Sequence, residues 1–391
     1  MIKLIKSTFL HERETKSKLC KFIMRSRMLS IGEECRKFEH NFTKYQQRKY
    51  CIFLNSGSSA NLAIIQALLN LGKIKKGDEI GFSALTWSTN VMPLIELGLK
   101  PVPIDCELDT LNVSSRTLED AIGNKPIKML FLTNLLGFCD DIDRIADICK
   151  KRNIVLIEDN CESLGTVYKA QRLGNFGLAS TFSFYVGHHM STIEGGAVCT
   201  DDKELDTMLQ FVRAHGWDRN LTEDRQLVIR IKNNVNETFY SRYTFYDLGY
   251  NLRTTEIQGF IGNSQLAYLP EIVEKRQANF LKIAKAVYAN NSKYYPIRYD
   301  HIDVVSNFAI PIICRSQKIR DEIVKKCDGK VEIRPIVGGD MTKQPFYEKY
   351  ITDASRPQMK NARIAHEQGL YFGNNPELTD KEIQTLISIF S

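Results

Sequence analysis

No stretch of eighteen apolar residues occurs in this chain, which excludes an ordinary membrane-spanning helix. The first residues, MIKLIKSTFLHERETK, have neither a long apolar core nor a small-residue cleavage site, so no signal peptide is read there. No block of five or six basic residues occurs either. The net charge of +7 is scattered, which argues against nucleic acid as a partner. It still leaves a mild positive field suited to a phosphorylated or nucleotide-linked substrate. None of the ten cysteines forms a C-x-x-C pair, so no metal site is expected and the thiols read as ordinary buried ones. These absences together point to the cytoplasm, with no membrane contact. One more is local: no lysine lies between Lys169 and Lys203.

What is there is an α/β texture. The 391 residues, 43% hydrophobic and 25% charged, are enough for one large and one smaller domain. Between residues 50 and 160, short apolar runs alternate with helical patterns. YCIFL, DEIGFS, KPVPI, KMLFLT and IVLIED read as strands. The segments between them read as helices, and this spacing predicts a mostly parallel sheet. Ligands of such sheets gather at the carboxyl ends of the strands, where Ser56–Ser59, Trp87 and Asp159 fall. Residues 221–240, LTEDRQLVIRIKNNVNETFY, read as a polar, irregular excursion. Beyond them a long helical stretch with a central proline leads into an α+β pattern. The division expected is 1–255 for a large domain that includes the N-terminal segment, and 256–391 for a small C-terminal one.

Several residues carry chemistry. In NSGSSAN (55–61), Gly57 and Ser58 sit before a helix, where outward N–H groups cradle a phosphate. Serines also cap helices for structural reasons alone. In LIEDNCES (156–163), Asp159 reads equally as the partner of a protonated ring nitrogen or as a helix N-cap. Trp87 offers a face for stacking on a ring, or a buried anchor. Ser183 is a second phosphate donor. His188 and His189 follow it in SFYVGHH, a loop with glycine on both sides. The structural alternative for the pair is one buried, bonded histidine and one exposed. Arg219 and Arg334 are forks for a pyrophosphate or a carboxylate, or surface pairs. His215 lines the site or shapes the loop.

Taken in order and spacing, NSGSSAN, Trp87, IEDNCESLG, LGNFG, SFYVGHH, EGGAV, RAHGW and GYNLRTTEIQGFIGNSQL resemble the sugar aminotransferase family. Its members are fold-type I pyridoxal phosphate enzymes that act on nucleotide-linked keto sugars. The resemblance covers nearly the whole chain. It implies a large domain with a mostly parallel mixed sheet flanked by helices, and a smaller C-terminal α+β domain. It implies cofactor contacts from Gly57, Ser58, Trp87, Asp159, Glu162 and Ser183. It also implies a homodimer in which Asn251 of GYNLR reaches the neighbour's cofactor phosphate.

Five residues past the Ser183 position, ordinary members carry the lysine that bonds the cofactor covalently. Here that residue is His188. Histidine cannot make that bond, but with a pKa near neutrality it moves protons. The substitution therefore implies the dehydratase branch, with pyridoxal or pyridoxamine 5′-phosphate held non-covalently and His188 as catalytic residue. The implied substrate is a GDP-linked 4-keto-6-deoxymannose that loses its C3 hydroxyl, with L-glutamate as amino donor. A related branch takes CDP sugars and uses a [2Fe–2S] cluster. Such a cluster needs four thiolates, and no cysteine falls between Cys199 and Cys314. A binding paralogue without catalysis is the third reading.

Overall fold

A computed structural model describes residues 1–123, 125–235, 238–352 and 358–391. Helices α1 (Glu12–Arg25) and α2 (Glu33–Gln46) precede the first strand, β1 (Tyr50–Leu54). Then come α3 (Gly57–Asn70), β2 (Glu79–Ser83), α4 (Met92–Glu96), β3 (Lys100–Ile104), α5 (Ser115–Ile122), β4 (Met129–Thr133), α6 (Ile142–Lys151) and β5 (Val155–Asp159). A two-residue hairpin, β6 (Val167–Tyr168) and β7 (Gln171–Arg172), leads to β8 (Ala179–Ser183), β9 (Gly196–Thr200) and α7 (Lys203–Arg213).

These strands form a seven-stranded sheet in the order β1-β9-β8-β5-β4-β2-β3. Only β9 runs against the others. Every residue of the interior strand β4, MLFLT, is buried. That is why it reads as a continuous apolar run rather than an alternating one. Helix α6 shows the opposite grammar. Ile142, Ile145 and Cys149 are buried on one face, Asp143 stands in its first turn, and Lys150 and Lys151 stand in its last.

Residues 221–240 depart from the expectation. They contain α8 (Glu223–Lys232), a helix with no buried residue. Its apolar side chains face outward, so no inward stripe betrays it in the sequence. Residues 236–237 of this stretch lie outside those described.

The chain continues through α9 (Glu256–Leu266) and α10 (Leu269–Val287), with Pro270 in the first turn of α10 where it needs no N–H partner. A second, wholly antiparallel sheet follows in the order β10-β11-β13-β12. Its strands are β10 (Tyr294–Tyr295), β11 (Ala309–Cys314), β12 (Ile333–Pro335) and β13 (Gly369–Gly373). The helices α11 (Gln317–Cys327), α12 (Pro345–Tyr350), α13 (Lys360–Gln368) and α14 (Asp380–Phe390) accompany it. We propose the division at 255/256; α9, the first element after it, still packs on α2 of the first part, whereas α10 packs on α14 of the second. The first residues cross this division. Ile2 bridges Val331, and the Leu4 amide donates to the Glu332 carboxylate at 3.1 Å, so the N-terminus sides with the second sheet.

Candidate active site

A cleft of about 470 Å³ opens at the carboxyl ends of β2, β4 and β5, where the two sheets meet. Gly57, Ser58, Trp87, Asp159, Glu162, Ser183, His188 and Arg334 all line it. Eight residues chosen from sequence are thus brought together. His215, Arg219 and Asn251 do not line the cleft of their own chain. His215 packs edge-on against Trp217, and the Arg219 guanidinium lies between the Trp217 and Tyr243 rings, 4.3 and 4.4 Å from their centroids. The Asn251 side chain accepts from Arg253 Nε at 3.0 Å.

Asp159 is the last residue of β5, and no helix begins there, which settles the capping alternative. Its Oδ2 accepts from Asn61 Nδ2 at 3.0 Å and Asn90 Nδ2 at 2.7 Å, and its Oδ1 from the Cys161 amide at 2.9 Å. The carboxylate is 4% exposed yet lines the cleft, so it is fixed in one orientation before any ligand arrives. Its neighbour Glu158 points to the other face, as strand alternation requires. There it binds the loop before β8, accepting from the amides of Gly174, Phe176 and Gly177 at 2.7–2.8 Å. The paired acids therefore divide into one site residue and one structural residue.

The turn into α3 also divides its labour. The Ser56 hydroxyl caps the helix, accepting from the Ser59 amide at 3.0 Å. This leaves Gly57 and the exposed Ser58 with N–H groups free for an anion. Glycine is required at 57, because a Cβ there would lie 2.6 Å from Ser183 Cβ. The close approach puts the Ser183 hydroxyl beside the helix terminus. That hydroxyl accepts weakly from the Tyr185 amide at 3.3 Å and keeps its own hydrogen to donate.

The two histidines part company. His189 is buried and donates from Nε2 to the Ser306 carbonyl at 2.9 Å, pinning the loop to the segment before β11. His188 is half-buried and lines the cleft, its ring 5.2 Å from Phe308 and 5.8 Å from Tyr185. Burial, opposed by Asp159 and assisted by Arg276, pushes its pKa down to about 4. This corrects the expectation of a pKa near neutrality: at pH 7 the imidazole is neutral and ready to accept a proton. Glu162 shifts the other way. Burial raises its pKa to about 8, with the Leu136 amide bond opposing and Asp159 adding, so at pH 7 it is a donor.

Sequence reasoning missed Asn61 and Asn90, which hold Asp159, and Phe308, Glu194 and Tyr371, which wall the cleft. The arrangement fits pyridoxal or pyridoxamine phosphate. It offers an anion cradle at Gly57, Ser58 and Ser183, a fixed carboxylate for a ring nitrogen, and a 52% exposed indole for the ring face.

Such a cleft on such a sheet defines a fold-type I pyridoxal phosphate enzyme. The chain belongs to the DegT/DnrJ/EryC1/StrS aminotransferase family, which matches residues 11–391. It is 35% identical over 372 residues to GDP-4-keto-6-deoxy-D-mannose 3-dehydratase of Yersinia pseudotuberculosis, covering 94% of this chain and 93% of that protein. The fold is similar, with a TM-score of 0.90 and 32% identity, to GDP-4-keto-6-deoxymannose-3-dehydratase holding a trapped PLP–glutamate geminal diamine. It is equally similar, at 0.90 and 31%, to a histidine-to-asparagine form of that enzyme with bound GDP-perosamine. Both alignments cover all of this chain and all of the other. Among the described residues, no helix is long and apolar enough to cross a membrane.

Proposed function

We propose that this chain is a pyridoxamine phosphate-dependent 3-dehydratase of a GDP-linked 4-keto-6-deoxymannose, with L-glutamate as amino donor. The observation that carries the reading is His188, a neutral imidazole in the cleft at the position where the family's aminotransferases have lysine. When bound, the cofactor supplies an amine for the sugar's C4 ketone and a ring that takes up electrons as the C3 hydroxyl leaves. Asp159 holds a proton on the ring nitrogen. Gly57, Ser58 and Ser183 hold the phosphate, and Trp87 covers the ring. His188 moves the proton at the cofactor's C4′ and gives one to the departing C3 oxygen. Arg334 binds the substrate's phosphates, with Glu332 fixing its guanidinium at 3.0 Å.

The balance closes without another reagent. Sugar plus glutamate gives the 3,6-dideoxy-4-keto sugar, 2-oxoglutarate and ammonia. Glutamate supplies the two electrons. We place the reaction in the cytoplasm, since all ten cysteines are free thiols, as a reducing compartment allows.

An untethered cofactor is the first consequence. Borohydride treatment of the chain loaded with pyridoxal phosphate, followed by peptide mapping, is expected to yield no pyridoxyl-lysine from the cleft. Its recovery in high yield would contradict the reading.

We further infer a homodimer in which Asn251, Arg219 and His215 serve the partner's cleft. They lie outside their own cleft, beside an exposed apolar surface that includes Tyr243 (65% exposed) and Phe245 (58%). Sedimentation is expected to give a dimer, and a fully active monomer would sink this assignment.

A further inference from the structure

Arg276 on α10 is a charged side chain in the wrong place for a surface helix. It is 5% exposed. No carboxylate pairs with it among the described residues. Its Nη1 donates to the Asn374 carbonyl and its Nη2 to the His188 carbonyl at 3.0 Å. Its Nε has no hydrogen-bond partner among the described residues. A buried cation held only by carbonyls is costly, and an apolar side chain would fill the same space more stably. Burial lowers its pKa to about 9, which still leaves it charged at pH 7.

Resting on the proposed reaction, we propose that Arg276 is a positioning residue for His188. Its guanidinium fixes the backbone of the histidine loop against α10 and the end of β13, and its charge keeps the imidazole in the form that accepts and then releases a proton. The bond to the His188 carbonyl locates the ring's attachment point, and the bond to Asn374 locates the arginine. Each side of the site is thereby tied to one group.

The other groups around the imidazole do not do this. Asp159, from β5, draws a proton onto the ring. Glu162 and Glu194 line the same cleft and bring no positive charge. Tyr185 and His189 on the histidine's own loop bring no positive charge, since burial holds His189 well below the usual imidazole range, and neither does Tyr371 on β13, whose pKa burial raises to about 12. Arg334 on β12 also lines the cleft, but it is half exposed and paired with Glu332. Arg276 is the buried positive charge that opposes Asp159. After His188 has taken a proton, that charge favours giving it up again, which a base that must act in every turnover requires.

The test is the titration of His188 in the full chain without cofactor, read by NMR of 15N-labelled histidines, with His188→Asn to assign its signal among the seven. Arg276→Gln and Arg276→Met remove the charge, and Arg276→Lys keeps it. The His188 midpoint is expected to rise by about one pH unit in the Gln and Met variants, as loss of a nearby charge would give, and to stay in place in Arg276→Lys. The acidic limb of kcat should move with it. Arg276→Lys should lower kcat about tenfold with KM unchanged, because one of two carbonyl anchors is lost. An unmoved midpoint in the Gln and Met variants overturns the proposal, as does a lysine variant that shifts as far as they do. Should neither charge-free variant fold, Arg276→Lys decides: an unchanged kcat overturns the proposal. A wild-type chain that binds the cofactor but leaves the sugar intact would overturn the reaction instead, and the titration would still stand.

Discussion

His188→Lys is expected to cut dehydration by several orders of magnitude, general-base catalysis alone accounting for roughly 10²–10⁴-fold. The change puts an amine where the cleft now presents a neutral imidazole. The cofactor should become covalently attached, turning the protein yellow and making it reducible by borohydride to pyridoxyl-lysine. The imidazole that moves the proton is lost at the same time. Some transfer of nitrogen to the sugar is expected in its place. His188→Asn separates the two effects, because it removes the base without creating a tether. It should be as inactive as the lysine variant while binding cofactor reversibly. His189→Asn is the control. Its ring contacts the Ser306 carbonyl, so the substitution should loosen the loop and cost less activity. An essential His189 with a dispensable His188 would reverse the assignment.

Asp159→Asn should lower turnover by about 10²–10³-fold, the size of loss seen when one preorganised electrostatic group is removed from an active site. The carboxylate is held by Asn61, Asn90 and the Cys161 amide, all donors. An amide there can no longer keep a proton on a ring nitrogen, and in either orientation its own NH₂ faces a donor, at the least the Cys161 amide. Asp159→Ala adds a stability cost of about 1–3 kcal/mol, because the buried amides of Asn61 and Asn90 lose their acceptor. Single-turnover kinetics with preloaded cofactor separates slower chemistry from weaker binding. A rate within a few fold of wild type for Asp159→Asn would show that the ring nitrogen is not served by this residue.

The strands that build the site were legible because β4 and β5 are apolar runs ending in polar residues at the cleft. The helix turn at Gly57 was legible from glycine and serine before an apolar helix, but not which serine caps and which is free, since Ser56 turns out to be the cap. His188 stood out against the missing lysine. What was illegible has physical causes. Asn61 and Asn90 lie 98 and 69 residues before Asp159, so their grip on it arises only when the helix after β1 and the turn after β2 are brought over the end of β5. The opposite fates of Glu158 and Asp159 follow from strand alternation, which shows that they separate but not which one faces the cleft. Helix α8 has no buried face, so its periodicity carries no inward signal. Arg276 reads as one more basic residue on a helix; only the packing reveals that it is buried behind the histidine.

The most direct test is to incubate the chain with GDP-4-keto-6-deoxymannose, pyridoxal phosphate and L-glutamate, then weigh the sugar by mass spectrometry and assay ammonia. The account predicts a sugar lighter by one oxygen atom, with ammonia and 2-oxoglutarate released in equal amounts. A sugar that keeps its C3 oxygen and gains nitrogen, with no ammonia, would make the chain an aminotransferase. An unchanged sugar would leave it a binding protein, and either result contradicts the account.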